Sequence, residues 1–137
     1  MAATFDDVAA LVAELPDVTV GDRHGRRTWF VGKKGFAWER GFSKADLKRF
    51  GDEPVPQGDI LAVLTEDLAD KEAVLAAETP GVFTIPHFDG YPAVLIQLDR
   101  IGKRALRDLV LDAWLAGASD AQAQEYLASK KPRRSRR

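Results

Sequence analysis

Arg23, His24, Arg26, Arg27, Lys33 and Lys34 crowd around a short apolar run that carries Trp29, and Trp38 follows soon after. Guanidinium and ammonium groups neutralise phosphates, and indole faces stack on bases, so the pattern is that of a nucleic-acid contact. The stretches HGRR and GKKG read as the two turns of a strand meander, which sets them at opposite ends of the shared strands unless one connection bends. Where Arg26, Arg27, Lys33 and Lys34 converge they would grip phosphates with help from turn amides; where they do not, they are solvated turn charges. Strand neighbours face opposite sides, so alternation along TWFVG and FAWER commits at least one of the two tryptophans to the core.

A second basic group is Arg100, Lys103, Arg104 and Arg107. Their spacing predicts a stripe on one face at the start of a helix. Positive charge there opposes the helix dipole at a cost of about 0.3–1 kcal/mol each, a misfit that hints at use. The plainer reading is a solvated helix face.

His87 stands in the loop His87-Phe88-Asp89-Gly90-Tyr91. With Tyr91 and Trp114 it could bound a small pocket, Asp89 orienting the imidazole as a base. The plainer reading is a hydrogen-bonded loop histidine. Catalysis otherwise has little to draw on. The chain has no cysteine, no HExxH pair of metal ligands and no phosphate-binding or dinucleotide fingerprint. Of its serines, Ser43 and Ser119 read as helix caps. The expectation is a protein that is not an enzyme and uses neither metal nor cofactor.

Composition narrows the class further. The chain of 137 residues is 45% hydrophobic, enough for one packed core. Its net charge is −1, yet the last eight residues, KKPRRSRR, hold six basic groups and no acid, leaving about −7 on residues 1–129. So acidic a body is a poor general binder of polyanions, and any grip on DNA must be local or lie in the tail. The absence of cysteine, the acids near the N-terminus and the lack of an apolar run of about 20 residues lead us to expect a cytoplasmic protein with no membrane partner.

Phe5, Val8, Leu11, Val12 and Leu15 recur at helical spacing between a Thr4 cap and Pro16. Strands are predicted over 18–23, 28–32 and 35–40. A short helix follows, with Ser43 and Asp46 as its capping box and Gly51 as its stop. After a loop come the strand ILAVLT, the helix DLADKEAVLAAE, a short strand at 83–85, a loop at 86–92 and a strand over 93–99. Leu106, Leu109, Val110, Ala113 and Trp114 carry a helical period, and Ser119 with Gln122 caps a last helix. Helices flank runs of strands rather than alternating with them, which predicts an α+β fold on a mainly antiparallel sheet. We expect one domain over residues 1–129 and a disordered basic tail over 130–137.

Taken in order, GRRTWFVGKKGFAWE, IPHFDGYPAVLIQLDR and LRDLVLDAWLAGA resemble the motifs of the MmcQ/YjbR family across roughly residues 5–128. Ala93 stands where many members open the strand after the histidine loop with an aromatic residue, and Tyr91 lies two residues earlier. The resemblance implies a secretion-chaperone-like fold of order α-β3-α-β2-α and a double-wing arrangement associated with DNA binding. The function expected is therefore non-catalytic DNA binding. The alternative is a protein-interaction or chaperone-like module, homodimeric or held by a protein partner, that does not bind nucleic acid.

Overall fold

A computed structural model describes residues 3–130, of Lys130 the backbone only. Tail residues 131–137 lie outside the described residues, and Lys130 ends the last helix. Three strands follow the first helix as a meander: α1 (Phe5–Ala13), β1 (Val18–Arg23), β2 (Arg26–Val31) and β3 (Lys34–Glu39). Then come α2 (Lys44–Phe50), β4 (Ile60–Leu64), α3 (Leu68–Ala76) and β5 (Val82–Phe83). A 3₁₀ turn (Pro86–Phe88), β6 (Ala93–Gln97), α4 (Lys103–Gly117) and α5 (Asp120–Lys130) complete the chain. The strands form one antiparallel sheet in the order β1-β2-β3-β4-β6-β5, so the fold is α+β with flanking helices. Relative to the expected order α-β3-α-β2-α, the chain adds β4 with α3, and a helix at the end. No helix among the described residues is long and apolar enough to cross a membrane.

Local chemistry explains the boundaries. Thr4 and Asp7 form a reciprocal capping box at α1, as Ser43 and Asp46 do at α2. Ser119 and Gln122 exchange the same pair of bonds at the start of α5. Strand β4 lies in the middle of the sheet with all five residues buried, the environment its unbroken apolar run fits.

The two faces of the sheet are covered differently. On one, α4 packs across β3 and β4 with α1 beside it, burying Leu106, Val110, Ala113 and Trp114 against Val31, Phe36, Leu61, Val63 and Ile96. Trp114 is fully buried, and its indole N–H donates to the Pro16 carbonyl at 3.0 Å. On the other face a smaller cluster of Ile60, Ala62, Ile85, Phe88, Ala93 and Leu95 packs with Phe42, Phe50 and Phe83. There α2 lies against the 3₁₀ turn.

Strand β3 carries a bulge. Trp29 pairs with Ala37 but its neighbour Phe30 pairs with Gly35, so Phe36 is an extra residue. Both Phe36 and Ala37 reach the helix-side core, and Trp38 emerges on the opposite face.

Candidate functional site: an arginine-lined pocket

The first hairpin turns on two residues, His24 at φ 56° and Gly25 at φ 77°, both left-handed as a tight antiparallel hairpin demands. Glycine reaches this region freely and histidine more readily than most side chains. Two residues in the turn leave Arg26 and Arg27 on β2 itself rather than in the loop, which corrects the expectation that both are turn charges. As neighbours on a strand they point to opposite faces. Arg23 pairs directly with Arg26 across the hairpin, so these two share one face.

Two further residues along β2 from Arg26, on that same face, stands Thr28, buried and donating its hydroxyl to the Arg26 carbonyl at 3.1 Å. Trp38 pairs with Thr28 from β3, and Arg40 lies two residues beyond Trp38. The Arg40 amide donates to the Ile60 carbonyl at 2.9 Å, which keeps the chain in line past the strand end. His87 arrives from the 3₁₀ turn. Together Arg23, His24, Arg26, Thr28, Trp38, Arg40 and His87 line a pocket of about 310 Å³. Gly41 stands at its edge, where an added Cβ would come within 3.0 Å of the Arg26 guanidinium.

The pocket is strongly cationic. Arg40 is clamped: its guanidinium donates to Asp46 at 2.9 Å and to the Gly41 carbonyl, and lies 5.5 Å from the centre of the Phe88 ring. Asp46 is 3% exposed. Burial alone would raise its pKa, but hydrogen bonds from the Ser43 amide and hydroxyl and from Arg40 outweigh it and hold the carboxyl below the ordinary value. Arg23 lies over the Phe30 ring at 5.3 Å, and among the described residues neither Arg23 nor Arg26 has a carboxylate partner. Among the described residues no acidic side chain lines the pocket.

A buried lysine fixes the wall that carries His87. Lys71 extends from α3 and donates to the carbonyls of Phe88 and Tyr91 at 2.5 and 2.8 Å. Burial lowers its pKa, opposed by the charges of Asp89 and Glu72. Tyr91 stands 41% exposed with its ring edge-on to Trp38 at 6.4 Å. This loop therefore joins the arginine wall through aromatic contacts.

Of the basic cluster read from the sequence, Arg23, His24 and Arg26 enter this pocket. Arg27 faces the helices, paired with Glu39 at 2.5 Å and lying over Trp29 and Phe5. Lys33 and Lys34 sit at the far end of the strands, beside Gly117 and Ser119 where α4 meets α5. Arg100 precedes α4, so the predicted four-residue helical stripe is reduced to Lys103, Arg104 and Arg107. Arg107 lies 3.6 Å from Glu14, and Lys103 and Arg107 border a groove with Asp7 of α1 and Glu14 at its C-cap. The predicted pocket of His87, Tyr91 and Trp114 does not form, because Trp114 is sealed in the core on the opposite face of the sheet. His87 instead shares its pocket with His24, its distant partner in sequence. Of the two tryptophans, Trp29 is core and Trp38 is the one that reaches the pocket.

Sequence reasoning passed over Arg40 altogether. The signal was present: Trp38 and Arg40 are two residues apart, hence on one face, and a two-residue turn at His24-Gly25 makes Arg23 and Arg26 cross-strand partners.

The chain is 47% identical over 131 residues to the uncharacterized protein Rv2570 of Mycobacterium tuberculosis (strain ATCC 25618 / H37Rv), covering 93% of this chain and 98% of the relative. It matches the uncharacterized protein Mb2600 of Mycobacterium bovis to the same extent. No family model matches it, and no solved structure matches it significantly.

Proposed function

The chain belongs to one family with these mycobacterial proteins, and we propose that it is a non-catalytic nucleic-acid-binding module, of the double-wing DNA-binding kind that its resemblance to the MmcQ/YjbR family implies. One observation carries the reading: Arg23, Arg26 and Arg40 converge beside a half-buried Trp38 in a solvent-open pocket lined by no acid. Guanidinium forks match phosphate oxygens, and an indole face accepts a stacked base. With about −7 on residues 1–129 the contact is necessarily local, and among the described residues no carboxylate lines this pocket.

The test is fluorescence anisotropy with labelled single-stranded and duplex DNA across a salt series. It compares the full chain, a chain ending at Ser129, the double variant Arg23→Glu/Arg26→Glu and the double variant Lys33→Glu/Lys34→Glu. Reversal at the arginine pair abolishes binding at physiological salt, and reversal at the lysine pair weakens it mildly. Removing one cation that neutralises a phosphate flattens the salt dependence by roughly 0.7–0.9 in log–log slope. Binding that ignores Arg23 and Arg26 refutes this pocket as the contact, and binding that disappears with the tail refutes the reading for the folded body and favours the protein-interaction alternative.

A further inference from the structure

We infer that the arginine pocket is a phosphomonoester site: it takes a terminal phosphate dianion together with the nucleoside that bears it. The inference rests on the nucleic-acid reading and names what the pocket selects. Arg23 and Arg26 present two guanidinium groups without carboxylate partners among the described residues, while the charge of Arg40 is largely answered by Asp46. A phosphodiester inside a strand brings one negative charge and two free oxygens. A phosphomonoester brings about −1.5 to −2 at neutral pH and three acceptor oxygens, which matches the two uncompensated cations.

Donor count points the same way. Arg23 and Arg26 face each other across the hairpin end, Arg40 enters from the end of β3, and His24 and His87 add imidazole groups from two separate loops. Donors that arrive from several sides surround a terminal group better than they follow a continuous backbone. The volume of about 310 Å³ lies at the small end of ligand sites and matches about one nucleotide. Trp38, aligned with Thr28 in the pocket wall, supplies the flat apolar surface for the base. The occupant is thus a nucleoside monophosphate, free or as the phosphorylated end of a strand.

Isothermal titration of the full chain distinguishes the two sources. The ligands are adenosine, adenosine monophosphate, and short single strands of one sequence ending in a 5′-phosphate, a 3′-phosphate or hydroxyls. The phosphomonoester ligands bind at least about tenfold more tightly than their counterparts without that group. Arg26→Ala removes about 10- to 100-fold of the affinity for the phosphomonoester ligands and less of that for hydroxyl-ended strands, so the preference for the terminal phosphate shrinks. Arg26→Lys, which keeps the charge but lacks the fork, recovers only part of it, and circular dichroism confirms that both variants fold. If strands bind equally with and without the terminal phosphate, the inference is overturned while the nucleic-acid reading stands. If the monophosphate binds and no strand does, the site stands and the nucleic-acid reading falls. If no ligand binds, both fall.

Discussion

Replacing Lys71 with methionine tests whether a buried cation holds the histidine wall in place. Lys71 is 7% exposed and joins α3 to the loop by two hydrogen bonds, to Phe88 and Tyr91. Bonds from a charged donor contribute about 1.5–3 kcal/mol each. Two facts reduce the loss. The Phe88 carbonyl also accepts from the Tyr91 amide at 3.0 Å and the Tyr91 carbonyl from the Ala93 amide at 2.8 Å, so neither is orphaned. Burial also opposes the lysine charge, and methionine of similar length removes that opposition. The net cost is about 2 kcal/mol. At about 2.1 cal/mol/K for each of 137 residues, the melting temperature falls by about 7 °C. Thermal unfolding measures the loss, and hydrogen exchange at the Tyr91 and Ala93 amides locates it. The pH dependence supplies a second reading. Because the folded pKa of Lys71 lies below 10.5, the unfolded chain binds that proton more tightly, and wild-type stability gains as pH rises from the lowered value toward 10.5. Lys71→Met loses this gain. Unchanged stability with unchanged exchange in the loop refutes the argument, because the desolvation of the charge would then cancel both bonds.

Asp46→Ala removes the partner of Arg40 and one half of a capping box, costing about 3 kcal/mol in denaturant unfolding. Since the folded pKa of Asp46 is lowered, that contribution is present above its ordinary value of 3.8 and is lost as pH falls through the folded value, so variant and wild type converge in acid. Asp112→Asn does the opposite. Partial desolvation, then the like charges of Asp70 and Asp108, raise the pKa of the exposed Asp112, so the ionised carboxylate opposes folding at neutral pH and the amide, with solvent screening the effect, gains at most a few tenths of a kcal/mol there, an advantage that fades below about pH 4. Gly117→Leu forces a side chain where a Cβ alone would lie 3.0 Å from Val31 and 3.3 Å from Phe36, and calorimetry reads a loss of about 1–3 kcal/mol.

The helices were legible in the sequence because their ends are written in local chemistry. Thr4 with Asp7, Ser43 with Asp46 and Ser119 with Gln122 are caps whose two halves lie three residues apart. The strands were legible too, to within two residues. The site was not, because it depends on pairing across strands. His24-Gly25 could be read as a turn, but whether the turn holds two residues or four decides whether Arg26 and Arg27 are loop charges or strand neighbours on opposite faces. The same limit applied to His87 and Trp114, which the sequence allowed to meet but which are separated by the thickness of the sheet. Arg40 escaped notice because its partners, Asp46 and Phe88, come from two further elements.

The bulge at Phe36 acts as a parity switch on β3. Were the bulge straightened with every residue kept, Trp29 would oppose Phe36, Thr28 would oppose Ala37, and Trp38 would fall opposite Arg27 on the helix side. Trp38 and Arg40 would then be aimed into the core and their present neighbours turned out to solvent. Pocket and core are therefore set in phase by a single inserted residue. Deleting Phe36 would remove the bulge and keep Trp38 opposite Thr28, whereas deleting Glu39 would turn Arg40 to the helix side, and the same deletion in the connection at residues 51–59 would spare both faces.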